Sequence, residues 1–249
     1  MRKRWRYVGI YGDEVMLCVG LARIGPAQQR WWAVWDRTDR RLYERTRLHG
    51  RGLDLVLGPA AVRARDEQVS LELELTRSGQ AMEVVTFDPG GYAWTAKHIP
   101  HARGEVRVAG RTWAIDGPAL VDDSAGYHPR RTSWLWSAGT GTTVDGRAVA
   151  WNLVEGVHDS PTGSERTVWV DGRAAEVGPV RFAPDLSAVE FAEGERLRFS
   201  PEATRRRDDN LLIFRSRYEQ PFGAFAGTLP GGLALAAGFG VMERHHAVW

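Results

Sequence analysis

The sequence predicts an all-β fold with two related barrel- or sandwich-like antiparallel halves, and three observations carry that prediction. Apolar and polar residues alternate with period two along much of the chain. Asp-Gly pairs punctuate the alternating runs, and no long stretch shows the periodicity of a helix.

Trp31–Asp36 and Arg41–Leu48 bracket a polar turn at Arg37–Arg40 and read as a hairpin. Ala60–Gln68 fits either a short helix or a strand. Val69, Leu71, Leu73 and Leu75 alternate with Ser70, Glu72, Glu74 and Thr76, the pattern of a strand with one buried face. Runs rich in Val, Trp, Phe and Thr follow at Gln80–Phe87, Thr132–Ala138, Ala148–Val154, Arg166–Val170 and Leu211–Tyr218. Asp116-Gly117, Asp145-Gly146 and Asp171-Gly172 lie between such runs, where a type I′ turn requires positive φ. Glycines in the late strands are placed to allow bulges and curvature. Val106–Arg111 followed by Ile115 and Pro118 echoes Val168–Arg173 followed by Val177 and Pro179. That echo hints at a duplication and puts a boundary near Pro118, dividing the chain into halves 1–118 and 119–249.

At 249 residues the chain buries a core without staples. Its 43% hydrophobic and 26% charged residues are ordinary for a globular protein, but 11 Trp exceed what such a core requires. The net charge of +2 gives no pull toward polyanions. Lys3 and Lys97 are the only lysines, an arginine bias that reflects genome composition of bacterial type more than phosphate binding. Cys18, alone in an apolar run, reads as a buried small hydrophobe and excludes a disulfide framework or thiolate metal cage. Met1-Arg2-Lys3-Arg4 resembles the start of a leader, but Trp5-Arg6-Tyr7 interrupts it. No segment reaches the ~18 apolar residues of a membrane span, Leu233–Met242 being too short, so a cytoplasmic location is expected. Phosphate-loop, dinucleotide and esterase-elbow motifs are absent and no cofactor is expected. His128, His158 and His245 have no metal-ligand spacing, so no metal is expected either.

One segment is unlike the rest. Asp122 to Trp136 packs two acids, Tyr127, His128, Arg130, Arg131, Trp134 and Trp136 into a few residues, and Trp151-Asn152, Glu155 and His158 follow. Thr132, Trp134 and Trp136 share one face of a strand, either lining a cavity or packing as core. Near the end of the sequence Glu243 and His245 share a face while His246 takes the other.

The run Asp123–Trp136, with Asp145-Gly146-Arg147, Trp151–Val154, Gly178–Phe182 and Gly238–Trp249, resembles an uncharacterised family, domain of unknown function 2804, over most of the chain from Trp31 onward. More distantly, the acid-Gly turn, Trp-rich strand and Asp-Gly hairpin are similar to the hydroxyneurosporene synthase and tocopherol cyclase group. That similarity implies two tandem lipocalin-like halves with cavities for large apolar isoprenoids; it implies a fold more than a reaction.

Asp122 and Asp123 are adjacent, so on an extended chain they face opposite ways. Either caps the Gly126 turn, or one points into an apolar cavity with a raised pKa suited to protonating an alkene or ether oxygen. Arg130 or Arg131 is the natural partner for that carboxylate, and Arg131 or His245 for an inward Glu243. Three functions follow. The first is binding of an apolar or amphipathic small molecule, lipid- or isoprenoid-like, on Tyr127, His128, Arg131, Trp134, Trp136, Trp151, Asn152 and His245. The second is acid-assisted hydration, cyclisation or isomerisation in the same cavity, with Asp122, Asp123, Glu155 and Glu243 as candidate proton carriers. The third, single-stranded nucleic-acid binding, suffers from the near-neutral charge, so no nucleic-acid partner is expected.

Overall fold

The computed structural model describes residues 1–48, 52–88, 91–211 and 214–248, and every regular element among them is a β-strand. The first half of the chain supplies β1 (Lys3–Tyr11), β2 (Val15–Ile24), β3 (Ala27–Asp36), β4 (Arg41–Leu48), β5 (Asp54–Leu57) and β6 (Ala61–Arg65). It continues with β7 (Val69–Thr76), β8 (Met82–Asp88), β9 (Gly91–His98), β10 (His101–Val108) and β11 (Arg111–Gly126). The second half supplies β12 (Arg131–Thr143), β13 (Ala148–Glu155), β14 (Thr167–Val170), β15 (Arg173–Glu176) and β16 (Val180–Phe182). Then come β17 (Ala188–Phe191), β18 (Arg196–Leu211), β19 (Phe214–Leu229) and β20 (Leu233–Val248).

These strands form two antiparallel half-barrel sheets. In the first the order is β4-β3-β2-β1-β11-β10-β7-β6-β5, with the β8–β9 hairpin added beside β11. In the second it is β15-β14-β13-β12-β20-β19-β18-β17-β16. The two orders are the same pattern. Each half pairs its first strand with its last, and the remaining strands fan out to either side. The β8–β9 hairpin is the one addition in the first half.

The duplication is therefore real in topology, but the sequence echo does not mark it. Val106–Arg111 turns from β10 into β11, whereas Val168–Arg173 turns from β14 into β15, which corresponds to β3 and β4. Both turns put two residues at positive φ, Ala109-Gly110 and Asp171-Gly172. That shared turn geometry produces the likeness between two hairpins that are not equivalent.

Other expectations meet the structure similarly. The Arg37–Arg40 hairpin forms as read, and Ala61–Arg65 settles as a strand. Asp116-Gly117 does not turn but lies inside β11, paired with Arg103 and Ala102. Pro118 also lies inside β11, and the chain passes from one sheet to the other at 127–130 instead of near 118. Leu211–Tyr218 spans the end of one strand and the start of the next, with 212–213 outside the described residues.

Three apolar clusters follow from this plan. Each half curls around its own core, one including Val8, Leu17, Trp32, Leu71 and Val121, the other Trp151, Leu153, Phe199, Phe225 and Met242. The third lies between the halves and joins Tyr7, Tyr11, Met16, Cys18, Leu120, Trp136, Phe222 and Val241. Central strands are thus covered on both faces, which is why Val15–Val19 reads as an unbroken apolar run. Cys18 is fully buried there.

Trp151 belongs to the second core and lies across Gly139, its cross-strand partner. A Cβ at Gly139 would run into the Trp151 ring and the Phe239 carbonyl. Gly139→Ala is expected to cost about 1–3 kcal/mol, the usual range for overpacking. Thermal denaturation checks this; an unchanged Tm would mean the indole is not pinned.

Candidate functional site

A cavity of about 140 Å³ lies between the two halves, walled by Trp5 and Tyr7 of β1, Trp31 of β3, Trp134 and Trp136 of β12 and Tyr218 of β19. Its position follows from strand parity. Tyr7 and Asp122 are cross-strand partners on β1 and β11, and Trp136 and Glu243 are partners on β12 and β20. Under the shared topology these pairs lie on corresponding strands of the two halves. Each pair offers one aromatic ring and one carboxyl to the space between the sheets.

The two carboxyls have different surroundings. Asp122 meets Lys97 of β9, with Oδ1 2.6 Å from Nζ, and Lys97 also lies 3.5 Å from Glu165 Oε2. Glu165 in turn lies 3.6 Å from Nδ1 of His158. All four side chains are buried. Burial works to discharge Lys97, but the charges of Asp122 and Glu165 outweigh it and raise its pKa. Burial also opposes ionisation of Glu165, yet Lys97 and His158 hold its pKa below the ordinary value. The Asp122 pKa is raised by burial, against the pull of Lys97.

Among the described residues no cation is ion-paired with Glu243. Its Oε1 accepts a hydrogen bond from Trp134 Nε1 at 2.8 Å and its Oε2 one from Gln220 Nε2 at 3.0 Å. Burial pushes its pKa up to about 7, although Trp134 and Tyr218 donate to it. A carboxyl with that value holds or releases a proton near neutrality, the property of a general acid.

Imidazole and indole rings complete the wall. Trp5 stacks on Trp134 with centroids 6.3 Å apart, and His245 lies 4.3 Å from Trp134. Ser216 Oγ and His245 Nε2 are 2.7 Å apart, and burial lowers the His245 pKa to about 3. Arg205 reaches the cavity from β18 with its Nε 2.8 Å from Glu44 Oε2.

Of the residues singled out in the sequence, Asp122, His128, Trp134, Trp136, Glu243 and His245 line this cavity together. Thr132 and His158 line it as well, and the others lie off it. Asp123 points to the opposite face of β11, as parity requires, and pairs with Arg6 at 2.8 Å. Neither aspartate caps a turn, because β11 runs on through Gly126. Glu155 accepts a hydrogen bond from the Phe182 backbone N–H at 2.8 Å, bracing an edge strand. Tyr127 is exposed, with its ring 5.8 Å from Tyr92, and Arg130 and Arg131 face solvent, so lysine and not arginine partners Asp122. Trp151 is core, its Nε1 donating to Ser137 Oγ at 3.1 Å. Asn152 sits behind the wall, accepting from Trp136 Nε1 at 2.7 Å and donating to the Glu165 carbonyl at 2.8 Å. It orients the Trp136 indole instead of meeting a ligand.

Sequence reasoning missed Trp5, Tyr7, Trp31, Lys97, Glu165 and Tyr218. Lysine usage held a signal: the only two lysines of an arginine-rich chain are both about 2% exposed. Among the described residues no cluster of His, Cys, Asp or Glu is placed to hold a metal ion. No helix of the described residues is long and apolar enough to cross a membrane.

The profile of domain of unknown function 2804 matches residues 59–249. The chain belongs to this family. The matched span covers all of the second half-barrel and, in the first, the strands that carry Lys97 and Asp122. No curated protein matches the DUF2804 chain by sequence. Among solved structures it is similar to a protein assigned as AttH from Nitrosomonas europaea, with TM-score 0.64 and 16% identity, covering 98% of this chain and 92% of that one. It is also similar to kievitone hydratase from Nectria haematococca, with TM-score 0.55 and 8% identity, covering 99% and 88%. A third neighbour, CghA, has TM-score 0.54 and 11% identity, covering 98% and 87%. At these identities the likeness establishes the two-half β architecture of the DUF2804 chain.

Proposed function

We propose that this protein binds a small apolar or amphipathic molecule between its two halves and transfers a proton to it. The reaction class is acid-assisted hydration, cyclisation or isomerisation. One observation carries the reading: Asp122 and Glu243, on corresponding strands of the two sheets, face a single aromatic-walled cavity. Their unequal surroundings separate their roles. Glu243, with no ion-paired cation among the described residues, is the proton donor, whereas Asp122 is ion-paired with Lys97. A hydratase among the structural neighbours supports the reading at the level of architecture.

Size limits the ligand. A cavity of about 140 Å³ is on the scale that admits a benzene-sized group, so a larger isoprenoid would place only its reacting end inside. Trp5, Trp31 and Trp134 make tryptophan fluorescence the natural readout. Organic extraction and native mass spectrometry of the purified protein are expected to yield a bound apolar molecule, and its removal to shift the emission. An empty protein whose emission ignores small aromatics, short fatty acids and isoprenoid alcohols would overturn the proposal.

A further inference from the structure

The cavity has a second polar corner that proton transfer does not use. His128, in the crossover between the sheets, lays its ring 5.0 Å from Trp5 and 5.3 Å from His158. Both ring nitrogens of His128, and Nε2 of His158, are shut off from solvent and make no hydrogen bond to any of the described residues. His158 is 5% exposed, and its Nδ1 is anchored within 3.5 Å of Thr95 Oγ1 and 3.6 Å of Glu165 Oε2. Its backbone is left-handed at φ 52, which a residue other than glycine adopts where its surroundings hold it. Both residues line the cavity.

Buried polar atoms are as a rule paired, so three unpaired nitrogens in one corner call for a ligand atom. A neutral imidazole offers one N–H donor and one acceptor nitrogen. Burial, with the charges of His158 and Lys3, holds the His128 pKa near 3, so its ring stays neutral. A carboxylate could only accept, and Asp122 and Glu165 stand close by to repel it. An ammonium group would meet Lys97. A hydroxyl both donates and accepts without charge.

The geometry points to a hydroxyl-binding corner formed by His128 and His158, so that the site selects a small phenol or alcohol over a hydrocarbon of the same shape. This rests on the cavity being a ligand site, and it adds the ligand's polar group and its direction. The ring of the ligand lies along Trp5 and Trp134, and its hydroxyl points at the imidazoles.

Fluorine NMR titration of the full chain with 4-fluorophenol and 4-fluorotoluene tests this. The phenol is expected to bind about tenfold tighter, the scale of one well-made hydrogen bond, although the toluene is the more hydrophobic. His128→Phe keeps a ring against Trp5 and breaks no hydrogen bond that the His128 ring makes to the described residues. In that variant toluene binding and Tm are expected to hold while the preference for phenol disappears. If His128→Phe fails to fold, His128→Leu makes the same comparison. Equal affinities in the wild type, or a preference that survives the variant, would mean that water alone serves the imidazoles and the corner selects nothing. Toluene binding without phenol preference sinks this inference and leaves the cavity reading standing; failure of both ligands to bind sinks both.

Discussion

Glu243→Gln is expected to abolish turnover of any substrate of this cavity while making the folded protein more stable at pH 8. Loss of a positioned general acid typically costs 10²–10⁴-fold in rate. The stability change follows from linkage. Burial raises the Glu243 pKa from 4.5 to about 7, so the folded state prefers the protonated form. The stability tied to that proton is fully present below pH 4.5 and is lost as pH rises through about 7. The gap corresponds to about 3 kcal/mol. A glutamine cannot ionise, so that pH-dependent loss should vanish from the variant. Gln220 now donates to Glu243 Oε2 and would face a second amide, which offsets part of the gain. The clean readout is therefore the slope: urea unfolding from pH 4 to pH 8 should show the variant gaining about 3 kcal/mol on the wild type. Parallel curves would mean that Glu243 titrates as an ordinary surface acid.

The second large effect has the opposite sign. Lys97→Met replaces a buried cation by an apolar chain of similar length and leaves Asp122 and Glu165 without the ammonium that lies between them. Breaking a buried ion pair from one side typically costs about 3–5 kcal/mol. The deficit should be greatest at pH 8 and shrink in acid, where the stranded carboxyls take up protons. A loss that is the same at every pH would be one of packing, not of charge. Arginine is not an equivalent replacement, because its planar fork needs more room than a compact ammonium.

What the sequence revealed and what it hid divide along a physical line. Parity was legible: the opposite faces of Asp122 and Asp123, the shared face of Trp134 and Trp136, and that of Glu243 and His245 all follow from the two-residue repeat of a strand. Which face met a cavity was not legible. The central strands are covered on both sides, so burial pattern does not distinguish the core of a half from the seam between halves. That ambiguity placed Trp151 and Asn152 with the ligand, when one is core and the other a brace for Trp136. Proximity in sequence misled in the same way: Arg131 is near Asp122 along the chain, but the partner comes from β9 across the sheet. The duplication was sensed through two hairpins that merely share a turn. Its true mark is the shared strand order, which puts the Tyr7–Asp122 and Trp136–Glu243 pairs on corresponding strands.

Only four residues, 127–130, carry the chain from one sheet to the other, and the same seam holds both the apolar contact of the halves and the cavity. A molecule bound there, as proposed, would act as a keystone. It would touch both halves at once, so the free energy that holds it would also press them together. Saturation at a hundred times the dissociation constant would add about 2.7 kcal/mol to whatever keeps the arch closed. By linkage, a guest that favours the closed seam would tighten the seam in the same measure as the closed seam tightens its hold on the guest.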